Sequence, residues 1–192
     1  MKRLVKLILI ISSVAVLSSC GYNSGVEKQE AVDKQWAQVE NVYQRRMDLI
    51  PNLVNTVKGA ANFEKSTLTA VMEARASATK VTVDASKLTP ESIAKFESAQ
   101  NGLSSALGKL MMVTENYPQL RANESFMALQ AEIAGTENRI ATERMRFNEV
   151  VSDYNTHIRK FPNNLFSGMF GFEKKGYFKA NEKAATAPEV KF

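Results

Sequence analysis

From Ala122 to Phe161 apolar side chains return every three or four residues, and Gly135 is the only Gly or Pro in the run. Phe126, Leu129, Ile133, Ile140, Phe147, Val151, Tyr154, Ile158 and Phe161 share one heptad seam, with Thr136 and Glu143 filling its polar positions. A repeat of 3.5 residues predicts a long helix lying against other long helices at a shallow angle. At about 1.5 Å per residue such a helix reaches roughly 60 Å, and it needs partners to bury its seam.

The preceding chain supplies them. Val32, Trp36, Val39, Tyr43 and Ile50 form a second seam, with Arg46 as an intruder. Beyond Pro51 the phase continues through Leu53, Val57, Ala60, Val71, Ala74 and Ala78, with Glu64 and Thr67 at the remaining positions. A reversal of direction takes a few linker residues, and the sequence around Pro51, RRMDLIPNLVN, offers none. Proline inside a helix kinks it. The pattern therefore predicts one helix from Glu27 to Thr79, kinked near Met47 to Pro51. The competing possibility is a separate helix beginning at Pro51.

Lys80 to Thr89 breaks the pattern with β-branched Val81, Thr82 and Val83 and the turn formers Asp84 and Ser86. Thr89 and Pro90 suit the N-cap and first residue of a third helix. Its apolar face carries Ile93, Phe96, Leu103, Leu107 and Leu110, and Asn116-Tyr117-Pro118 ends it. Ala122 or Asn123 then opens the long last helix. The fold class is all-α: an elongated antiparallel bundle of three to four long helices. A hydrophobic content of 44%, with only five Pro and nine Gly, is consistent with one helical domain.

The N-terminus adds an address. Lys2, Arg3 and Lys6 precede a short apolar run, Leu7 to Val16, and then Leu17-Ser18-Ser19-Cys20-Gly21. The run is short for roughly 30 Å of hydrocarbon and suits a signal peptide. Its end resembles a bacterial lipobox. That resemblance implies cleavage before Cys20, diacylglycerol on the sulfur and an acyl chain such as palmitate on the new amine. Several acyl chains make such an anchor effectively permanent. The expected organisation is a signal peptide over 1–19, a lipidated Cys20 with a polar tether over 20–26, a bundle over 27–178 and a flexible tail over 179–192. It places the protein at the bacterial cell envelope, membrane-anchored and facing the extracytoplasmic side. Removing Lys2, Arg3 and Lys6 lowers the formal charge from +5 to about +2, too balanced to argue for nucleic acid. The single Cys excludes an intramolecular disulfide and any multi-Cys metal site.

Several motifs together point to a family. Gln44 to Lys58 (QRRMDLIPNLVNTVK), Thr136 to Ala141 (TENRIA), Tyr154-Asn155 with Phe161-Pro162, and Gly171-Phe172 occur in that order. The chain from about Tyr22 to Phe178 resembles the LemA family of bacterial envelope proteins. The resemblance implies an all-helical antiparallel bundle, membrane attachment at the N-terminus and no established reaction. The lipobox replaces the transmembrane anchor common in the family. Met47 and Ala60 stand where members often carry Tyr, and Phe147-Asn148 stands for a usual Tyr-Asn.

Candidate chemistry is sparse. Arg45, Arg46 and Asp48 beside the kink read either as a patch for an acidic partner or, more simply, as arginine stems lying on the bundle with their heads in water. Thr136, Glu137, Asn138 and Arg139 interrupt the last seam, as Glu64 and Thr67 interrupt the first. Such a polar layer can fix register. Glu64, Glu137 and Glu143 also raise the alternative of a metal or small-ligand site. Di-metal bundles, however, use Glu-x-x-His pairs, and the only His, His157, has no Glu three residues before it and reads as exposed. Asn148, Asn155, Asn163 and Asn164 gather near the end of the last helix, the latter two suited to ending it. Phe166, Met169, Phe170, Phe172, Tyr177 and Phe178 interleave with Lys174, Lys175 and Lys179. That mixture fits a membrane interface, for membrane remodelling, or a plug over the bundle's open end. A kinked first helix puts it away from the anchor and favours the plug or a partner contact; four separate helices would return it to the membrane. No Gly-rich phosphate loop, Ser-His-Asp set or Cys-His pair is present. No catalytic residue, cofactor or metal is assigned. The sequence reads as a non-enzymatic binding or scaffold module, held by its N-terminal lipid and working on an envelope protein partner.

Overall fold

The computed structural model describes residues 2–59 and 63–179, with side chains from Gly21 onward. The Cys20 thiol, Ala60 and the tail 180–192 lie outside that description. Five helices follow one another: α1 (Lys2–Lys58), α2 (Lys65–Lys80), α3 (Pro90–Thr114), the single turn α4 (Pro118–Arg121) and α5 (Glu124–Arg159). A 3₁₀ turn, Ala85–Lys87, joins α2 to α3, and another, Asn163–Leu165, follows α5.

The capping chemistry placed two helix starts correctly. Thr89 accepts from the Ser92 amide (3.2 Å) with Pro90 in the first turn, and Asn123 accepts from the Phe126 amide (3.0 Å). The expected break over Lys80 to Thr89 is also present. There Asp84 accepts from the Ser86 amide and hydroxyl, and these bonds hold its carboxyl below the usual range.

The first helix differs from expectation. It passes through Pro51 and ends at Lys58, so Glu27 to Thr79 is two helices. Pro51 has no N–H for the Met47 carbonyl one turn back. Arg75 of α2 supplies the missing donor, its Nε lying 3.0 Å from Met47 O, and Thr79 Oγ1 lies 3.3 Å from Met47 Sδ. The proline is thus accommodated by a neighbour, and the chain turns instead where Gly59 follows Lys58. Gly21 to Gly25, expected as a tether, are helical too, because the segment beyond α5 packs against them.

Contacts fix the topology. Arg75 beside Met47, in one cluster with Val57 and Leu68, shows that α2 runs back along α1. Phe96 packs on Trp36 and Tyr43, and Gln100 reaches Arg46, so α3 runs parallel to α1. Pairings of Arg46 with Glu137, Gln35 with Glu143 and Gly21 with His157 make α5 antiparallel. The chain runs out, back, out and back. The aromatic C-terminal segment therefore lies at the N-terminal end of the rod, against Tyr22, and not at the far end as a single kinked first helix would require.

Candidate functional site

The core falls into two clusters separated at Arg46. The upper one runs from Met47 through Val57 of α1, with Leu68 and Val71 of α2, Leu103 to Leu110 of α3, and Phe126 and Ile133 of α5. The lower one holds Val32 to Tyr43, Ile93, Phe96 and Ile140 to Ile158. Between them lies a polar layer. Arg46 is 1% exposed, Gln100 and Thr136 2% each. Arg46 donates through Nη1 to Ser104 Oγ (2.8 Å) and Glu137 Oε1 (2.6 Å), and through Nη2 to Gln100 Oε1 (2.5 Å). Its guanidinium also lies 5.1 Å from the Tyr43 ring centroid. Burial pushes the Tyr43 phenol up, while Arg144 and Arg46 pull it down. Thr136 turns inward and donates to Ile133 O within its own helix (2.7 Å).

This corrects the expectation that the Arg46 head reaches water. A fully buried guanidinium is tolerated because a carboxylate and two side-chain oxygens surround it; removing a partner would strand the charge. The seam partners of Thr136 also differ. Glu64 and Thr67 sit at the far end, where Glu64 accepts from the Ser66 hydroxyl (2.5 Å); the layer is completed by Arg46 and Gln100. Arg45 pairs with Glu132 on the surface, and Asp48 accepts from Gln44 one turn earlier. Asn138 and Arg139 are exposed.

The three carboxylates considered for a metal do not meet. Glu64 is at the far end, Glu137 is bound to Arg46, and Glu143 accepts from Gln35 (2.6 Å) and Arg146 (2.8 Å). Among the described residues no group of three or more His, Cys, Asp or Glu side chains is placed to hold a metal ion.

Sequence reasoning missed a second constellation. After the base of the bundle, residues 174–179 run as an extended strap up the groove between α5 and the start of α3. Asn155 pairs with both backbone groups of Lys175 (2.9 Å each), and Asn148, one heptad earlier, does the same with Phe178 (2.9 Å each). A carboxamide has one acceptor and two donors, so it can stand in for a β-strand neighbour. Gly176 donates to Leu88 O (2.8 Å), and a Cβ there would lie 2.8 Å from Pro90. Phe178 enters the lower core against Trp36 and Phe147. Lys175 is buried and donates to the carbonyls of Ser86 (3.1 Å) and Ala85 (3.4 Å). Nearby, burial raises the Asp33 carboxyl, partly offset by Lys175, and pushes the Tyr154 phenol up to about 12. The available signal was two Asn seven residues apart on a helix otherwise rich in better helix formers.

At the base, His157 Nε2 contacts Gly21 O at 3.1 Å, and Asn163 Nδ2 donates to His157 O at 3.2 Å. His157 is therefore part-buried rather than exposed. Phe161, expected on the seam, lies beyond the end of α5 and faces solvent. Gly25 accepts the Phe172 ring so closely that a Cβ would stand 2.8 Å from it.

Relatives align with most of this chain. Magnetosome protein MamQ 2 of Paramagnetospirillum magneticum is 28% identical over 89% of this chain and 70% of its own length. Magnetosome protein MamQ of Magnetospirillum gryphiswaldense is 28% identical over 95% of this chain and 74% of its own. Protein LemA of Metamycoplasma hominis is 22% identical over 83% of this chain and 69% of its own. The sequence model of the LemA family matches residues 35–192, the strap and most of the bundle included, and the chain belongs to that family.

Proposed function

We propose that this protein is a lipid-anchored scaffold of the bacterial envelope that works by binding rather than by catalysis. Membership of the LemA family and similarity to magnetosome proteins support a membrane-associated envelope protein. Among the described residues no helix is long and apolar enough to cross a membrane, which is compatible with attachment through lipid on Cys20.

One observation carries the reading. Gly21, the residue after Cys20, is hydrogen-bonded to His157 at the end of α5. The residue that follows Cys20 is therefore packed against the last helix and is no free linker. From Gly21 to Lys58, α1 extends about 57 Å at 1.5 Å per residue. A rod tethered at one end can carry its other end away from the bilayer, and confinement to a surface raises the effective concentration of weakly binding partners. In the Arg46 layer the guanidinium is held by Ser104, Glu137 and Gln100, while Arg46 Nε and Gln100 Nε2 are buried without a hydrogen-bond partner among the described residues.

The test is capture after mild crosslinking from intact cells, comparing the native chain with Cys20→Ser. The reading expects envelope protein partners that depend on the native anchor. If neither form captures a protein, it is wrong.

A further inference from the structure

The anchored end of the rod is also its most apolar exposed surface. Phe161, Leu165 and Met169 are 80%, 62% and 78% exposed, three of the four most exposed large apolar side chains among the described residues. Tyr22 and Phe170 stand beside them in edge-to-face contact, 5.1 Å between centroids, each about 40% exposed. Behind lies a cleft of about 280 Å³ lined by Gly21, Ile158, Phe166 and Phe172. Arg159, Lys160 and Lys174, which flank this segment in the chain, are exposed, as is Glu173.

The segment has a defined shape. Phe166 and Ser167 donate to Asn163 O (3.0 and 2.8 Å), Phe170 donates to Phe166 O (3.0 Å), and Phe172 donates to Ser167 O (2.9 Å). Rigid backbone that holds large apolar groups in water marks a surface meant to be covered. What covers it follows from position. The apolar run Leu7 to Val16 precedes Gly21 along α1, so any membrane attachment through the N-terminus, cleaved or not, brings bilayer to this end. Aromatic and aliphatic groups flanked in the chain by Lys and Arg match the boundary between headgroups and acyl chains.

We propose that residues 161–170, with Tyr22, form a foot that dips into the bilayer surface. The foot rests on the membrane attachment proposed above and adds to it. A lipid on Cys20 alone is a tether about which the rod can swing; a tether and an inserted foot hold it upright.

The full chain, purified from membranes, would be reconstituted in phosphatidylethanolamine–phosphatidylglycerol vesicles. Single nitroxide labels would be placed on Leu165→Cys, Met169→Cys and, at the far end, Met112→Cys. Collision with oxygen, which concentrates in lipid, is compared with collision with a water-soluble nickel chelate. Labels at 165 and 169 are expected to favour oxygen severalfold, and the label at 112 to favour nickel. If 165 and 169 are as open to nickel as 112, the foot stands in water and the proposal is overturned. It is also overturned if both are closed to either reagent and show spin–spin broadening, because a second copy then covers them. The mass of the mature N-terminal peptide reads the anchor separately. Should Cys20 prove unmodified, the labels are carried by a Cys20→Ser chain, in which oxygen-exposed 165 would remove the lipid and leave the foot.

Discussion

The halves of the bundle on either side of Arg46 are built of different materials. The upper half has four helices around aliphatic side chains, chiefly Ile50, Leu53, Val57, Val71, Leu103 and Leu110. The lower half loses α2, which is only 16 residues long. In its place stand the extended connection through Val83 and Leu88 and the strap, around Trp36, Tyr43, Phe96, Phe147, Tyr154 and Phe178. Aromatic rings bury more area per residue than aliphatic groups and gain from edge-to-face contact. Trp36 meets Phe96 and Phe147 in that way, at 5.3 and 5.4 Å. A bundle can therefore lose a helix partway along its length, provided large rings and a backbone clamp close the gap.

The largest test of this contrast is Phe178→Ala. It removes the ring between Trp36 and Phe147, and we expect a loss of about 3–4 kcal/mol in chemical denaturation. The only Trp lies in the lower half, so its emission should shift at lower denaturant than the helical circular dichroism. Coincident transitions would show that the halves do not separate. Next comes Arg46→Ala, which opens the layer between the halves and leaves Gln100 and Ser104 without their partner. A loss of about 2–4 kcal/mol is expected, with both signals moving together. The third test concerns the upper half alone. Arg75→Ala should cost roughly 1–2 kcal/mol, because it orphans Met47 O. In a Pro51→Ala background, where residue 51 regains its N–H, the same change should cost less than about 0.5 kcal/mol. Equal costs in the two backgrounds would show that Arg75 does not compensate for the proline.

The smallest effect is electrostatic. The folded-state pKa of Asp33 is raised, chiefly by burial, so the fold disfavours its ionised form and stability falls as pH rises from the unfolded value of about 3.9. Asp33→Asn removes that dependence. It should melt about 1–2 °C higher than the parent at pH 7, the gain vanishing at pH 3, where both carry a neutral group. A gain that persists at pH 3 would locate the effect elsewhere.

What the sequence disclosed divides along similar lines. Periodicity exposed the seams, and the capping residues Thr89, Pro90 and Asn123 located helix starts, because those signals are local. The turn after α1 was not expected at all, because the pattern continues in phase past Pro51 and the proline reads as a kink in one long helix. Lys58-Gly59, a basic last turn followed by glycine, was the better C-terminal signal. Nothing near Pro51 says that Arg75, in another helix, completes Met47's bonding. Arg46 looked like a surface arginine because burying it depends on Gln100 and Glu137 from two other helices. The Asn148 and Asn155 clamp left only the heptad spacing of the two Asn as a trace, because its ligand is a backbone, and backbone carries no sequence.

The central claim is that the chain runs out, back, out and back, returning its aromatic end to the N-terminal base of the rod. Paired cysteines read this directly. Tyr22→Cys with Phe170→Cys joins positions whose rings lie 5.1 Å apart, and Tyr22→Cys with Met112→Cys joins the two ends of the rod. In a Cys20→Ser background, so that no other thiol competes, a short bifunctional thiol crosslinker should join the first pair within one molecule and leave the second unjoined. A crosslink between 22 and 112 but none between 22 and 170 would contradict the account.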